Sequence, residues 1–277
     1  MNHEVIVIIG AGGIGQAIAR RQGAGRSILL ADNNPQVLAE AAQALTHAGF
    51  AVETQMVDVV SRPSVQALAD FAASLGQVTQ IINTAGLSPN MAPPAKLLAV
   101  DLYGVALVLD VFERIIAPGG CGIVISSMAG HMPAPLPPEQ EQALAFTPTE
   151  ELLQLHFLSA DAVRDSMQAY GIAKKANHLR VQAASLAWGA RGARVNSISP
   201  GIIATPLAQH EMASESGPIY RAMIAASPAK RLASADEVAA LAAFLLGSEA
   251  RFITGSDVLM DGGVIPAMRA GLLQNPV

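Results

Sequence analysis

The chain has 277 residues, 51% of them hydrophobic, and its 17 basic and 22 acidic side chains give a formal net charge of -5. This length suffices for one large α/β domain or two small ones, and the apolar content suffices for a sizeable core. The acidic balance argues against nucleic acid or an anionic membrane as a partner, because both require a clustered basic face.

The cysteine content and the first residues bear on the compartment. A single cysteine, Cys121, excludes an intramolecular disulfide framework and suits a reducing environment. The apolar run at residues 5–9 is too short for a signal-peptide core or a membrane span, and glycines follow it at once. We therefore expect a cytoplasmic protein.

Short apolar runs alternate with longer amphipathic segments along the whole chain. Runs rich in Val and Ile, with few charges, are typical of parallel strands buried on both faces, and they occupy residues 4–9, 27–31, 51–57, 79–82, 122–126, 193–198 and 257–260. Helix-like segments lie near residues 14–24, 35–48, 62–75, 94–117, 168–188 and 235–246. No linker interrupts the alternation. The pattern predicts one α/β domain over residues 1–277, a doubly wound Rossmann fold with a seven-stranded parallel sheet flanked by helices.

A glycine-rich turn follows the first strand and opens a helix. Glycines there allow a tight turn and a close approach of the backbone to a pyrophosphate at the helix N-terminus. Such turns are common, so the motif alone is a weak indication of dinucleotide binding. Its candidate cofactor-binding residues are Gly10, Gly12, Gly13, Ile14 and Gly15.

Asp32 closes the second strand, 22 residues after Gly10. A carboxylate at this place can accept both adenosine-ribose hydroxyls and would repel a 2′-phosphate. The alternative is that Asp32 only caps the helix beginning at Pro35. Since no Arg or Lys lies beside Asp32, the sequence favours NAD(H) over NADP(H) as the cofactor.

Two stretches break the alternation, and both follow strand ends. Residues 132–169 begin proline-rich and then look helical in two pieces, which predicts a helical insertion after the fifth strand. Residues 206–233 lie between a strand and a helix and are expected to contain no strand. Ligands of open α/β sheets bind at this edge, so both stretches are candidates for the substrate mouth.

Tyr170 and Lys174 are four residues apart in a helix-like segment, so their side chains lie on one face. A free tyrosine has a pKa of about 10. An ammonium group within roughly 4–6 Å lowers that pKa, which makes the tyrosine a usable acid or base near neutral pH. The spacing is common in helices, so a half-buried tyrosine beside a solvent-directed lysine stays open on these residues alone.

From end to end the chain resembles the short-chain dehydrogenase/reductase family. The resemblance rests on the glycine turn, Asp32 and a series of segments in the family's order: Asp58-Val59, Asn83-Thr84-Ala85-Gly86, Ser126-Ser127, Tyr170 with Lys174, Pro200-Gly201-Ile202-Ile203-Ala204-Thr205, and ITGSDVLMDGG at residues 253–263. It implies an NAD-dependent enzyme acting on CH–OH groups and assembled as a homodimer or homotetramer.

The resemblance also implies a role for each matching residue. Ser127 would hydrogen-bond the substrate oxygen, Tyr170 would transfer the proton, and Lys174 would bind the nicotinamide ribose and lower the pKa of the tyrosine. The other matching residues would hold the cofactor, at the adenine (Asp58, Val59), along the floor (Asn83, Ala85, Gly86), and at the turn and carboxamide (Pro200, Gly201, Ile203, Thr205). Simpler structural roles, as turns and strand ends, stay open for these residues.

Two short departures from the family's pattern concern the cofactor and the proton path. Gly10 lies one residue closer to Gly13 than in the family, so the loop is shorter and again favours NAD(H). The resemblance implies an asparagine that holds a water on a proton path from Lys174, but Asp101 stands at that position. An aspartate accepts the same hydrogen bonds and adds charge near the lysine. We expect a functional variant, with reduced activity as the alternative.

The spacing between Ser127 and Tyr170, 43 positions, is longer than in most of the family. The extra residues, within 132–169, resemble an insertion of a bacterial hydroxysteroid dehydrogenase branch, which implies a bulky or steroid-like substrate. A dimerisation element is the alternative, since subunits in this family often pair through the neighbouring helices.

Two functions therefore stand against each other. The leading hypothesis is an enzyme that transfers a hydride between NAD(H) and a secondary alcohol or ketone. The rival is a catalytically weak regulatory protein that binds NAD(H), favoured by Asp101 alone. No metal site is expected, because the six histidines show no paired spacing, and His131 and His156 are expected to be solvent-exposed.

Overall fold

The computed structural model describes residues 3–132 and 136–273. The strands, in chain order, are β1 (Glu4–Ile9), β2 (Ser27–Asp32), β3 (Ala51–Met56), β4 (Gln77–Asn83), β5 (Cys121–Ile125), β6 (Arg194–Pro200), β7 (Ile203–Ala204), β8 (Ala233–Ser234) and β9 (Asp257–Met260). Seven of them form one parallel sheet in the order β3-β2-β1-β4-β5-β6-β9, and β7 pairs with β8 separately. The predicted seven-stranded parallel sheet is confirmed.

Eleven α-helices lie among the described residues. They are α1 (Gly13–Gln22), α2 (Pro35–His47), α3 (Arg62–Leu75), α4 (Pro94–Leu97), α5 (Val105–Glu113), α6 (Pro138–Phe146), α7 (Ser166–Ala190), α8 (Pro206–Ala213), α9 (Gly217–Ala226), α10 (Ala235–Leu246) and α11 (Val264–Arg269). Side-chain caps fix several starts: Ser234, for example, forms a capping box with Glu237 at the start of α10. Within the described ranges no helix is both long and apolar enough to cross a membrane.

The core lies on both faces of the sheet, because side chains alternate along each strand. In β1, Val5, Val7 and Ile9 pack with α3, α5 and α7, whereas Ile6 and Ile8 pack with α1, α2 and α10. All five side chains are fully buried, and each contributes about 1.5–3 kcal/mol by leaving water. The helices are therefore held on both sides, as in a doubly wound fold.

Strands β2 and β3 are added on one side of β1, and the later strands β4, β5, β6 and β9 on the other, so the order of strand addition reverses at β1. The loops after β1 and β4 consequently leave the sheet side by side, on opposite faces, and open a crevice. A hydrogen bond of 2.7 Å from the Thr84 backbone N–H to the Ile9 carbonyl joins the two loops at its base. The topology alone thus places the glycine turn next to Asn83.

Three predicted elements differ in the structure. Strand β3 is an edge strand whose residues are mostly exposed, so it is not buried on both faces. The helix expected over residues 94–117 consists of α4, a π-helical turn at Leu98–Gly104 and α5. The stretch expected to lack a strand contributes β8, which pairs with β7.

The described part of the insertion packs as a cap on the outer side of α7. After α6, two 3-10 turns follow at Thr149–Gln154 and His156–Leu158, where a second helical piece was expected. Their apolar side chains join those of α4, the π turn and α7 in one buried cluster. Residues 133–135 of the insertion lie outside the described residues.

Candidate active site

The turn after β1 has the backbone geometry that a dinucleotide phosphate needs. Gly10 adopts a φ of +100°, and its N–H donates to the Ala31 carbonyl at 2.7 Å. A Cβ on Gly15 would collide with the Gly10 carbonyl oxygen, so glycine is required there. Helix α1 begins at Gly13, its N-cap residue Gly12 offers no side-chain cap, and its first turn holds no acidic residue. Its first N–H groups can therefore bind an anion, and the residues fit a nicotinamide dinucleotide.

Asp32 lies beside this turn at the end of β2. Its Oδ2 accepts the Ala11 N–H at 2.7 Å, and its Oδ1 accepts the Asn34 N–H at 2.9 Å. Asn34, not Asp32, caps α2, since the Asn34 side chain accepts from the second and third residues of that helix. The alternative interpretation of Asp32 as the helix cap is wrong.

Gly86 lies in the loop after β4, where this loop passes the π turn and α7. An added Cβ would lie 2.6 Å from Oδ1 of Asp101 and 3.2 Å from Nζ of Lys174. Further back in the same loop, Asn83 is buried and its Oδ1 accepts the Ala85 N–H at 3.2 Å. Only a glycine lets the loop pass this close to the buried pair.

Asp101 and Lys174 form a buried ion pair, with Nζ 3.0 Å from Oδ1 and side chains 0% and 5% exposed. The Leu87 N–H also donates to the carboxylate, at 3.1 Å to Oδ1. Burial works against the charged lysine, but Asp101 and then Tyr170 outweigh it and raise the pKa of Lys174. Burial also works against the charged form of Asp101, and it raises the pKa of that carboxyl group. The aspartate thus adds its charge directly at the lysine, as the sequence suggested.

Tyr170 lies one helical turn before Lys174, whose Nζ is 5.3 Å from the centre of the tyrosine ring. Burial raises the pKa of Tyr170, Lys174 opposes that effect, Asp101 adds to it, and a hydrogen bond with Ser127 opposes it. Lys174 lowers the pKa of Tyr170 as expected, but desolvation is the larger effect, so the pKa lies above its ordinary value and not below it. Ser127 lines the same cavity as the tyrosine, and its Oγ accepts the Ala129 N–H at 3.1 Å.

A cavity of about 770 Å³ joins the catalytic candidates to half of the predicted cofactor residues. The predicted residues that line it are Ile14, Gly86, Ser127, Tyr170, Lys174, Pro200, Gly201, Ile203 and Thr205. The others lie along the same carboxyl edge of the sheet, outside this cavity: Gly10, Gly12, Gly13, Gly15, Asp32, Asp58, Val59, Asn83 and Ala85. Such an extended row suits a ligand whose two ends are far apart.

The walls of the cavity away from the cofactor side are mostly apolar. Met128, Met132 and Met223 line it together with leucine and isoleucine side chains of α8 and α9. A polar group of Ser88, Glu211 and Tyr220 interrupts these walls. Sequence reasoning missed this group, because its members lie in irregular segments and short helices whose residue pattern gives no indication of contact.

His131, which was expected to be solvent-exposed, belongs to a half-buried cluster. Its Nε2 lies 2.8 Å from Oδ2 of Asp257, and its ring centre lies 4.6 Å from that of His178. His178 Nε2 is in turn 2.8 Å from Ser199 Oγ. The three candidate ligand atoms lie within 4.8 Å of one another, the arrangement of a possible metal site, but each already has a hydrogen-bond partner. We interpret the cluster as a link between α7 and β9.

Comparisons with known proteins agree with this geometry. A family model of short chain dehydrogenases matches residues 4–138, and one described as enoyl-(acyl carrier protein) reductase matches residues 139–265. The short-chain dehydrogenase/reductase bsc3 of Alternaria brassicicola is 44% identical over 266 residues, which are 96% of this chain and 97% of that protein.

Two further similarities concern a curated relative and a solved structure. The 3-alpha-hydroxysteroid dehydrogenase/carbonyl reductase of Comamonas testosteroni is 30% identical over 210 residues, or 74% of this chain and 79% of that protein. A solved short-chain type dehydrogenase/reductase from Mycobacterium ulcerans has a TM-score of 0.74 at 25% identity, covering 95% of this chain and 90% of that chain. The chain therefore belongs to the short-chain dehydrogenase/reductase family, whose members are oxidoreductases that bind a nicotinamide cofactor.

Proposed function

We propose that this protein transfers a hydride between NAD(H) and a secondary alcohol or ketone. The observation that carries the proposal is the convergence of Ser127, Tyr170 and Lys174 on one largely apolar cavity, adjacent to the glycine turn. The bound nicotinamide would supply or accept the hydride. The protein supplies the proton transfer, the position of the substrate oxygen and a site from which water is excluded.

The roles of the three side chains follow from their chemistry. Ser127 donates a hydrogen bond to the substrate oxygen and holds it near the Tyr170 hydroxyl. Tyr170 gives its proton to that oxygen during ketone reduction and takes it back during alcohol oxidation. Lys174, kept as an ammonium by Asp101, stabilises the phenolate that forms in between.

Replacing the tyrosine tests this mechanism. We expect Tyr170→Phe to lower kcat by about two to four orders of magnitude, because the proton donor is lost. NADH binding, measured by fluorescence, should be largely retained. Tyr103→Phe is a matched control, since the Tyr103 hydroxyl bonds Glu150 outside the cavity. Unchanged turnover in Tyr170→Phe would contradict the proposed role.

The choice of NAD(H) over NADP(H) is part of the proposal and is supported by Asp32. Its carboxylate lies at the glycine turn through the bond to the Ala11 N–H. Asp32→Ala should raise the KM for NAD by about ten- to a hundredfold, since a charge-assisted hydrogen bond contributes roughly 1.5–3 kcal/mol. The preference for NAD over NADP should fall with it. Asp70→Ala, an exposed carboxylate on α3, serves as the control. An unaltered preference would remove Asp32 from the cofactor site.

The rival function, a regulatory protein that binds NAD(H) without turnover, is favoured by one observation. Asp101 pairs with the ammonium of Lys174, and its negative charge offsets part of the stabilisation that the ammonium gives to the Tyr170 phenolate. Absorbance of the reduced nicotinamide, followed with a panel of secondary alcohols, separates the two functions. Tight NAD binding without turnover of any alcohol would favour the regulator.

Substrate size, assembly and compartment are proposed at the same level. The cavity volume and its apolar walls support a bulky, steroid-like ketone or alcohol, in line with the named hydroxysteroid relative. A homodimer or homotetramer is proposed as the assembly, with the insertion that packs on α4 and α7 as the alternative dimerisation element. The chain's single cysteine, Cys121, is a buried free thiol, which accords with the reducing cytoplasm that we propose.

A further inference from the structure

Glu211 on α8 is a carboxylate inside an otherwise apolar part of the cavity. The residue is 4% exposed and lines the cavity together with Ser88 and Tyr220. Its negative charge reaches Tyr170, whose pKa it helps to raise. Buried carboxylates are costly unless they are paired or hydrogen-bonded, so the residue needs an explanation.

The hydrogen bonds of Glu211 leave room for one more donor. Oε1 accepts the Ser88 hydroxyl, and Oε2 accepts the Asn90 amide and, at 3.3 Å, the Tyr220 hydroxyl. Burial, followed by Glu211, raises the pKa of Tyr220, so that hydroxyl stays protonated and donates. A carboxylate offers about four acceptor positions, and these bonds occupy three of them. Among the described residues, one acceptor position on Oε1 is unused.

Among the described residues no basic side chain forms an ion pair with Glu211, and the guanidinium of Arg221 on α9 donates to the neighbouring Met212 carbonyl at 3.1 Å. Of the described residues that line the cavity, Lys174 is the single basic one, and it is paired with Asp101. The other carboxylate on the lining is Asp165, which is exposed at the mouth and caps α7. Glu211 is therefore the buried carboxylate on the lining at the substrate end of the cavity, without an ion-pair partner among the described residues.

On the basis of the proposed function, we propose that Glu211 determines substrate choice. The site takes an uncharged or cationic ketone or alcohol with a second hydrogen-bond donor, a hydroxyl or an ammonium group, remote from the reacting carbon. A carboxylate at that end is rejected, because like charges brought together in a buried site cost several kcal/mol. A substrate without the donor leaves the acceptor on Oε1 unused.

The test compares three series of methyl ketones of matched, increasing length that end in a methyl, a hydroxyl or a carboxylate group. With NADH and the wild-type protein, kcat/KM should be highest for the hydroxyl series and lowest for the carboxylate series at the best length. In Glu211→Gln, the ratio of kcat/KM for the carboxylate series to kcat/KM for the methyl series should rise by about ten- to a hundredfold. The ratio of kcat/KM for the hydroxyl series to that for the methyl series should fall.

Two controls separate charge from simple packing. Asp165→Asn removes the exposed carboxylate but keeps the cap on α7, and it should change these ratios far less than Glu211→Gln. Asn90→Ala removes one bond to Glu211 but keeps its charge, so rejection of carboxylates should persist. Equal ratios in the wild type, or equal effects of Glu211→Gln and Asp165→Asn, would overturn the inference.

The methyl series keeps the two proposals apart. If the ketones that end in a methyl group are reduced but kcat/KM is the same for all three series, only the role of Glu211 fails. If no series is reduced although NADH binds, the proposed function fails, and the role of Glu211 fails with it. The wild-type comparison is decisive even if Glu211→Gln does not fold, which thermal denaturation would reveal.

Discussion

At the scale of single residues, the charge next to Lys174 has the largest bearing on the chemistry. Asp101 raises the pKa of Lys174 and contributes to the raised pKa of Tyr170. The first effect keeps the lysine positive at high pH, and the second makes the tyrosine harder to ionise. Asp101 therefore favours the protonated tyrosine, which is the form that ketone reduction uses.

The pH dependence of alcohol oxidation tests this balance. Oxidation needs the tyrosine as a base, so its rate rises with pH through the pKa of Tyr170. Asp101→Asn removes one cause of the raised pKa of Tyr170, so the rising limb of kcat/KM should move to lower pH. Asp70→Asn on α3 should leave the limb in place. A limb that stays or moves upward in Asp101→Asn would contradict the role of Asp101.

At the scale of elements, Arg180 attaches the insertion to α7. The buried guanidinium donates to the carbonyls of Ala145 and Thr147, at 3.0 and 2.7 Å, and to the Thr149 hydroxyl at 3.0 Å. These acceptors run from the last turn of α6 to the start of the 3-10 turn at Thr149, and the carbonyls of a last helical turn have no partner within the helix. These bonds therefore fix the insertion to α7, the helix that carries Tyr170.

Removing this side chain should loosen the insertion. Arg180→Met leaves three buried acceptors without donors, and we expect the free energy of unfolding to fall by about 3 kcal/mol. Urea denaturation measures the loss, and limited proteolysis should cut first within residues 138–158. Lys175→Met is the matched control, because it breaks the more exposed ion pair with Glu141 on α6. That pair should contribute at most about 1 kcal/mol. Equal losses in the two variants would argue against a special role for Arg180.

At the scale of the whole molecule, His178 connects α7 to β6 and to β9 at the sheet edge. Its Nε2 bonds Ser199 on β6, and Asp257 on β9 bonds both Ser199 and His131. Burial lowers the pKa of His178 to about 4, and nearby Asp257 opposes this effect. The folded protein therefore holds this histidine neutral at pH values where the unfolded chain protonates it.

This difference predicts acid sensitivity with a definite sign. Between pH 6.5 and about 4 the unfolded state binds a proton at this histidine that the folded state does not, so stability falls as the pH falls. In His178→Gln, the urea midpoint should depend less on pH across that interval, because the amide keeps hydrogen bonds without titrating. His156→Gln changes an exposed histidine and should leave the slope unaltered. Parallel slopes for wild type and His178→Gln would exclude this origin.

The sequence alone determined the sheet, the glycine turn after β1, and the helical spacing of Tyr170 and Lys174. These features are set by local patterns: short continuous apolar runs, glycine conformations and residues one helical turn apart. The exposure of β3 and the π turn at Leu98–Gly104 escaped prediction, because the place of a strand in the sheet and the packing of Gly104 against Val59 are not local.

Only the tertiary structure decided the electrostatics of the site. Glu211 meets Ser88 and Asn90 from 123 and 121 positions away, and His131 meets Asp257 from 126 positions away. The sign of the pKa shift of Tyr170 also depended on burial, which outweighs the lysine beside it. Desolvation and charge pairing act through space between segments remote in the chain, so no periodicity or spacing in the sequence reports them.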